Sequence, residues 1–291
     1  MLTRRSFLAT VGAFAGAAAC QRAGTPQAGG TTAAAATSRR RVERVGIQLY
    51  SVRDDMQRDF PGTLARLSEI GYREVEFAGY FGRSPAEVRQ ILGTHRLAAP
   101  ATHMPYELIA TGWDKALDDA KTIGHQYVVV PWLAEDLRKS ADSWRRVAAE
   151  FNRAGERART RGLNFAYHNH EFEFKRTDGA VPFDILIAET DPALVSFEMD
   201  VYWVTFGGAD PLAYLRQHPE RFSMLHIKDS AGPPNHAQVD VGAGTIDFAA
   251  ILRLDAQQRS AVKHVFVEHD KPADPLAFAK KSFDHLSALE Y

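Results

Sequence analysis

From Val42 to the C-terminus, strand-like and helix-like segments alternate without a break, and that alternation constrains the fold more than any other feature of the sequence. Val42 to Tyr50 reads as a first strand. A helix follows near Phe60 to Ile70, with Leu64, Leu67 and Ile70 on one face and Gly71 to stop it. Glu74 to Phe77 is a second strand, and Ser84-Pro85-Ala86-Glu87 opens the next helix with proline in its first turn. The third strand runs from Leu97 to Thr102 and ends in His103. A helix from Trp113 to Ile123 then leads to Tyr127-Val128-Val129-Val130-Pro131, the kind of unbroken apolar run that buried parallel sheets contain. The longest helix spans Ala141 to Arg161, and Gly162 ends it before the strand Leu163 to Tyr167. The remaining segments are helix Phe183 to Ala188, strand Val195 to Asp200, helix Pro211 to Gln217 and strand Phe222 to Lys228. An excursion from Asp229 to Gly244 follows, then a helix near Phe248 to Leu254, strand Val265 to Glu268 and helix Pro275 to Leu289.

Eight strand–helix units in a stretch of about 250 residues, with no internal break, predict an α/β fold of one kind: a single (β/α)8 TIM barrel over residues 42–291. An open, doubly wound sheet would place a glycine-rich phosphate loop after its first strand. Here that position reads Gln48-Leu49-Tyr50-Ser51-Val52-Arg53, which has no glycine.

The N-terminus is of a different character. Thr3-Arg4-Arg5-Ser6-Phe7-Leu8 is a twin-arginine start, and Ala9 to Ala19 is an Ala/Gly-rich apolar stretch too short to remain as a membrane span. Residues 1–20 therefore read as a twin-arginine signal peptide, with export to the periplasm as the expectation. Cys20, the single cysteine, follows Ala17-Ala18-Ala19 where a lipoprotein signal places its acylated residue. A lipid anchor there and cleavage nearby to release a soluble protein are both open, and an anchor is the one membrane contact expected. A single cysteine excludes an internal disulfide and a polythiolate zinc site. Residues 21–41, rich in Ala, Gly and Thr, read as a flexible linker. The formal net charge of −1 supplies no polybasic field, so no nucleic-acid partner is expected; a small-molecule ligand is.

In such a barrel the chemistry sits at the C-terminal ends of the strands. The polar residues at those ends are Gln48, Glu76, His103, His168 with His170, Asp200, His226 with Lys228, and Glu268. Each has a structural alternative, such as Glu76 or Asp200 capping the next helix, or Lys228 paired with Asp229. Their recurrence at one end of successive strands is what points to a site. The run His168-Asn169-His170-Glu171-Phe172-Glu173 is the densest part, and alternate strand residues share a face, so His168 and His170 can point together. The set His168, Asp200, His226 and Glu268, imidazole and carboxylate without thiolate, suits one divalent ion: Mn, Zn, Co, Fe or Mg. Such an ion would hold vicinal sugar oxygens and polarise a carbonyl while a nearby base removes the adjacent C–H proton. Arg53 and Lys228 are candidates for an anion. Trp203, three residues after Asp200, is a candidate to stack on a sugar face, ahead of Trp113 and Trp132.

The segments Gly46-Ile47-Gln48-Leu49-Tyr50-Ser51-Val52-Arg53, Gly71-Tyr72-Arg73-Glu74-Val75-Glu76, His168-Asn169-His170, Met199-Asp200-Val201-Tyr202-Trp203, Leu225-His226-Ile227-Lys228-Asp229 and Val267-Glu268 resemble the sugar phosphate isomerase/epimerase family, the xylose-isomerase-like TIM barrels. The resemblance covers Val42 to Leu289. It implies a metal held by Glu, Asp, His and Glu at the ends of the fifth to eighth strands, which here are His168, Asp200, His226 and Glu268. His168 departs from that pattern. In the family's sugar epimerases the two glutamates also serve as acid and base, so the resemblance leaves Glu268 as one base, with His170, His103 or Glu173 as its partner and Lys228 beside them. The implied activity is metal-dependent isomerisation or epimerisation of a keto or aldo sugar through its enolate. Two alternatives share the scaffold: a 3-keto-glycoside lyase or hydrolase working by metal-assisted β-elimination, and a non-catalytic sugar-binding lipoprotein. The missing glutamate at position 168 favours the lyase. Export and low charge argue against a barrel-type endonuclease.

Overall fold

Strands with two buried faces and helices with one apolar stripe have a closed solution, a barrel of strands inside a ring of helices. The computed structural model of the chain takes that form. It describes residues 39–291 other than Arg259; the expected signal peptide, Cys20 and linker residues 21–38 lie outside the described residues. In chain order the strands are β1 (Val45–Gln48), β2 (Glu74–Phe77), β3 (Ala98–His103), β4 (Tyr127–Val130), β5 (Asn164–His168), β6 (Val195–Asp200), β7 (Phe222–Ile227), β8 (Asp229–Ser230), β9 (Gln238–Val239) and β10 (His264–Val267). All but β8 and β9 form one closed parallel barrel, in which β10 pairs with both β7 and β1.

Side-chain alternation divides the strands between two separate apolar clusters. Outward residues such as Val75, Val128, Phe165, Phe197 and Leu225 pack against the helices. Inward, Ala101, Tyr127, Val129, Ala166, Met224 and Phe266 fill the barrel's middle. Phe266 occupies room that β1 leaves by having glycine there: a Cβ on Gly46 would lie 2.4 Å from its ring. This apolar plug floors the polar layer at the strands' C-terminal ends.

The helices begin and end where their caps dictate. Asp59 accepts from the Gly62 N–H at 3.0 Å to start Phe60–Ile70, and Ser84 and Glu87 form a reciprocal capping box for Pro85–His95. Ala141–Thr160 is capped by Ser140 and buries Trp144, Val147, Phe151 and Ala154.

The structure departs from the sequence reading in three places. The first strand is shorter than Val42 to Tyr50, because the Gln48 side chain accepts from the Tyr50 N–H at 3.0 Å and turns the chain into a helical turn. Short helices also appear at Arg53–Arg58, Leu108–Thr111 and Val201–Phe206, too brief to leave a periodic signal. The excursion after β7 contains the antiparallel pair β8–β9, and the Asp229 carboxylate organises it by accepting from the N–H groups of Gly242 and Gly244 at 2.9 and 3.0 Å. At the opposite end of the barrel, Arg40 and Tyr291 exchange two backbone hydrogen bonds of 3.0 and 3.1 Å, so residues 39–41 are docked beside the C-terminus. Among the described residues no helix is long and apolar enough to cross a membrane.

Candidate active site and metal centre

Period-two alternation directs the last inward residue of each strand to one end of the barrel. Gln48, His103, His168 and Asp200 close β1, β3, β5 and β6; Glu76 and His226 lie one residue from the ends of β2 and β7, and Lys228 and Glu268 immediately follow β7 and β10. The registers bring them together: Asp200 is opposite His226, and His168 is opposite Glu198. All of these side chains are buried except His103, which is partly exposed.

His226 is the hub. Its Nδ1 is 2.8 Å from Glu268 Oε2, and its Nε2 is 2.6 Å from Glu76 Oε2 and 3.1 Å from Glu198 Oε2. His168 Nδ1 is 3.1 Å from Glu198, and His103 Nε2 is 2.9 Å from the same carboxylate. The Lys228 ammonium lies 3.1 Å from Asp200, 2.9 Å from Glu268 and 2.8 Å from Asp270. Burial works against charge on each of these groups, and the neighbours decide the outcome. Burial would lower Lys228 and His226, but the surrounding carboxylates overcome it and hold both well above their ordinary values. For His168 burial prevails and keeps the imidazole neutral. His170 falls to about 4, through burial and then the nearby Lys228 charge. Glu76 rises to about 7, through burial and then repulsion from Glu198.

The donor chemistry fits a divalent cation. One ligand atom from each of His168, Asp200, His226 and Glu268 can be chosen so that all lie within 4.8 Å of one another. That is close to the span that bonds of about 2.0–2.2 Å to a common ion require. The Asp200 carboxylate divides its labour: Oδ1 caps Val201–Phe206 by accepting from the Tyr202 and Trp203 N–H groups, while the buried Oδ2 makes no hydrogen bond and lies 3.1 Å from the Lys228 ammonium. Glu76 Oε1 and Glu198 Oε1 are orphaned in the same way. A second group, His103, His168, Glu198 and His226, meets the same distance test and shares two imidazoles with the first. Neutral His168, orphaned carboxylate oxygens and the absence of thiolate suit a borderline or hard ion.

Above these groups opens a cavity of about 580 Å³, lined by His103, His168, His170, Lys228, Glu268 and Asp270 below, and by Tyr50, Ala78, Gly79, Pro105, Pro131 and Trp132 nearer the mouth. The four residues expected to hold a metal are brought together, and of the expected catalytic residues His103, His170, Lys228 and Glu268 line the cavity. Glu173 does not. The chain turns after His168, and Glu173 is buried against the Tyr167 hydroxyl while its other oxygen accepts from the His170 N–H at 2.9 Å, so it positions the His170 backbone. Gln48 and Glu76 lie beneath the cavity, joined to each other at 2.9 Å, where they support His226 and the turn after β1 rather than face a ligand. Arg53 donates to the carbonyls of Tyr50 and Asp270 at 2.7 Å each, so its guanidinium is used within the protein. The Trp203 ring backs His170, with centroids 5.2 Å apart, outside the cavity lining; Trp113 is core, and the tryptophan at the cavity is Trp132.

Two residues were not identified from the sequence. Glu198 touches three histidines, and its signal was present: Ser196, Glu198 and Asp200 alternate on one face of β6. Asp270, two residues beyond Glu268, is held by Lys228 and by the Gln238 side chain, whose Oε1 accepts from the Asp270 N–H at 2.8 Å. A loop acid anchored by a distant hairpin leaves no local pattern.

Comparison with known proteins gives a consistent picture. The family described as xylose isomerase-like TIM barrel matches residues 64–286. An inosose dehydratase of Lacticaseibacillus casei is 26% identical over 268 residues, covering 79% of this chain and 89% of that protein. An inosose dehydratase of Geobacillus thermodenitrificans (strain NG80-2) is 34% identical over 190 residues, covering 58% and 63%. A solved sugar phosphate isomerase/epimerase from Parabacteroides distasonis ATCC 8503 superposes with a TM-score of 0.73 at 28% identity, covering 84% of this chain and 93% of the other.

Proposed function

The chain belongs to the xylose isomerase-like TIM barrel family, and on that premise we propose that it is a divalent-metal lyase that enolises a keto sugar or keto-cyclitol and expels the oxygen substituent β to the carbonyl. The observation that carries this reading is the cluster of His168, Asp200, His226 and Glu268 at the floor of a cavity that proton-carrying groups also line. These four residues would hold the ion, which when bound polarises the substrate carbonyl and acidifies the neighbouring C–H. His170, a neutral imidazole in the cavity wall, accepts that proton. Lys228 and His103 face the same space and carry protons, so either supplies the one that the departing oxygen takes up. The step balances: one proton leaves carbon, one C–O bond breaks, and the products are an enone and water or an alcohol.

Relatives named for inosose dehydration support elimination. So does the imidazole at position 168, where the sugar epimerases resembled in sequence have a carboxylate. Isomerisation is the second reading, favoured by the solved isomerase/epimerase at 28% identity; there the same enolate is reprotonated on the neighbouring carbon. On the sequence of residues 1–20 alone we propose that the enzyme acts in the periplasm, released there or anchored through Cys20. The reaction is tested by supplying an inosose and, separately, a 3-keto-glucoside in D₂O with Mn²⁺, Co²⁺ or Zn²⁺ and following enone absorbance and proton NMR. Metal-dependent elimination that Asp200→Ala abolishes is expected. Exchange of the α-proton without elimination would select the isomerase, and neither process would overturn both readings.

A further inference from the structure

Proton abstraction and metal binding use only the floor of the cavity. A space of about 580 Å³ falls within the range of about 300–1,000 Å³ that takes drug-sized ligands and exceeds what one sugar ring fills. Its mouth carries Tyr50 and Trp132, which are 42% and 47% exposed and are two of the three large hydrophobic side chains exposed among the described residues. Tyr50 lies in the turn after β1, and Trp132 lies two residues beyond β4. Three steps apart in an eight-strand ring, these positions flank the opening from nearly opposite sides.

Neither ring is loosely placed. The Arg53 guanidinium sits 4.1 Å from the centre of the Tyr50 ring and is itself pinned by the carbonyls of Tyr50 and Asp270. Arg138 lies 5.6 Å from the Trp132 ring and packs at 3.8 Å on Phe172. Tyr50 is thus backed closely by an arginine and Trp132 more distantly, and both rings line the cavity while staying exposed. Aromatic faces of this kind recognise the C–H face of a second sugar or an aryl ring.

We propose that Tyr50 and Trp132 form an aromatic subsite for the group attached to the reacting sugar, so that the substrate is a glycoside whose aglycone or second sugar lies at the cavity mouth. This inference rests on the elimination reading and names its leaving group. Removal of the proton between the carbonyl and the acetal carbon gives the enolate, the glycosidic C–O bond breaks, and the oxygen takes up a proton and departs as an alcohol. No oxidant or reductant is needed.

Binding and turnover are measured separately on the metal-loaded enzyme. Titration calorimetry with unoxidised phenyl and methyl β-glucosides is expected to show tighter binding of the phenyl compound, by about tenfold, with that preference lost in Trp132→Ala and reduced in Tyr50→Ala. With the corresponding 3-keto-glucosides, both variants are expected to lose at least about tenfold more kcat/KM on the phenyl than on the methyl substrate. Equal binding of the two glucosides by the wild type, or equal losses on both substrates, would overturn the subsite. A phenyl preference in binding without elimination from any keto substrate would leave the subsite standing and overturn the lyase reading.

Discussion

Asp200 and Glu173 show how differently two carboxylates near one histidine pair can be used. Asp200 caps a helix with one oxygen and turns the other, paired with the Lys228 ammonium, toward the proposed metal ligands, so the capping and ligand readings of this residue are compatible. Glu173 belongs to the same His-rich run in sequence but turns away from the cavity to Tyr167 and the His170 N–H. Sequence proximity suggested a base because a linear run does not record the turn of the chain after β5. Burial raises Glu173 to about 8, so between pH 4.5 and about 8 the folded protein holds a proton that the unfolded chain has released. Its contribution therefore makes stability fall as pH rises through that window, by on the order of a few kcal/mol in total. Urea unfolding of Glu173→Gln from pH 5 to 8 is expected to show a flatter dependence than the wild type; parallel curves would contradict the assignment.

At the scale of elements, β6 was the most legible part of the site and the least fully read. Its alternating Ser196, Glu198 and Asp200 share one face, and the partner strands convert that face into contacts with His168 and His226. The hairpin β8–β9 was illegible, because its order comes from Asp229 accepting backbone N–H groups more than ten residues away. The long helix Ala141–Thr160 illustrates the same distinction. Its amphipathic pattern was plain in the sequence, whereas the reason for Gly155 is tertiary: a Cβ there would lie 2.4 Å from the Leu194 carbonyl oxygen. Alanine would gain about 1 kcal/mol of helix propensity. Overpacking against a backbone atom costs about 1–3 kcal/mol. Gly155→Ala is accordingly expected to lower the unfolding free energy in denaturant titration, and a stabilised variant would show that β6's approach is not set by this contact.

For the molecule as a whole, strand–helix alternation determined the architecture because each unit has one way to bury both strand faces, and the barrel closes as that rule requires. The four ligand candidates were legible for the same reason: barrel topology converts strand-end residues distant in sequence into neighbours. The mouth was only partly legible: Trp132 was one of the stacking candidates but ranked behind Trp203, and Tyr50 was read as the end of the first strand, because a short helical turn and a loop carry no periodicity. Stacked from the middle outward, the barrel has an apolar plug, an ionisable layer and an aromatic rim. On the proposed function, metal binding belongs to the middle tier alone. Metal analysis of the purified, folded protein tests that assignment most directly: about one divalent ion per chain is expected in the wild type and in Glu173→Gln, and almost none in Asp200→Ala and His226→Ala with unaltered far-UV circular dichroism. Wild-type metal content in both Asp200→Ala and His226→Ala would contradict it.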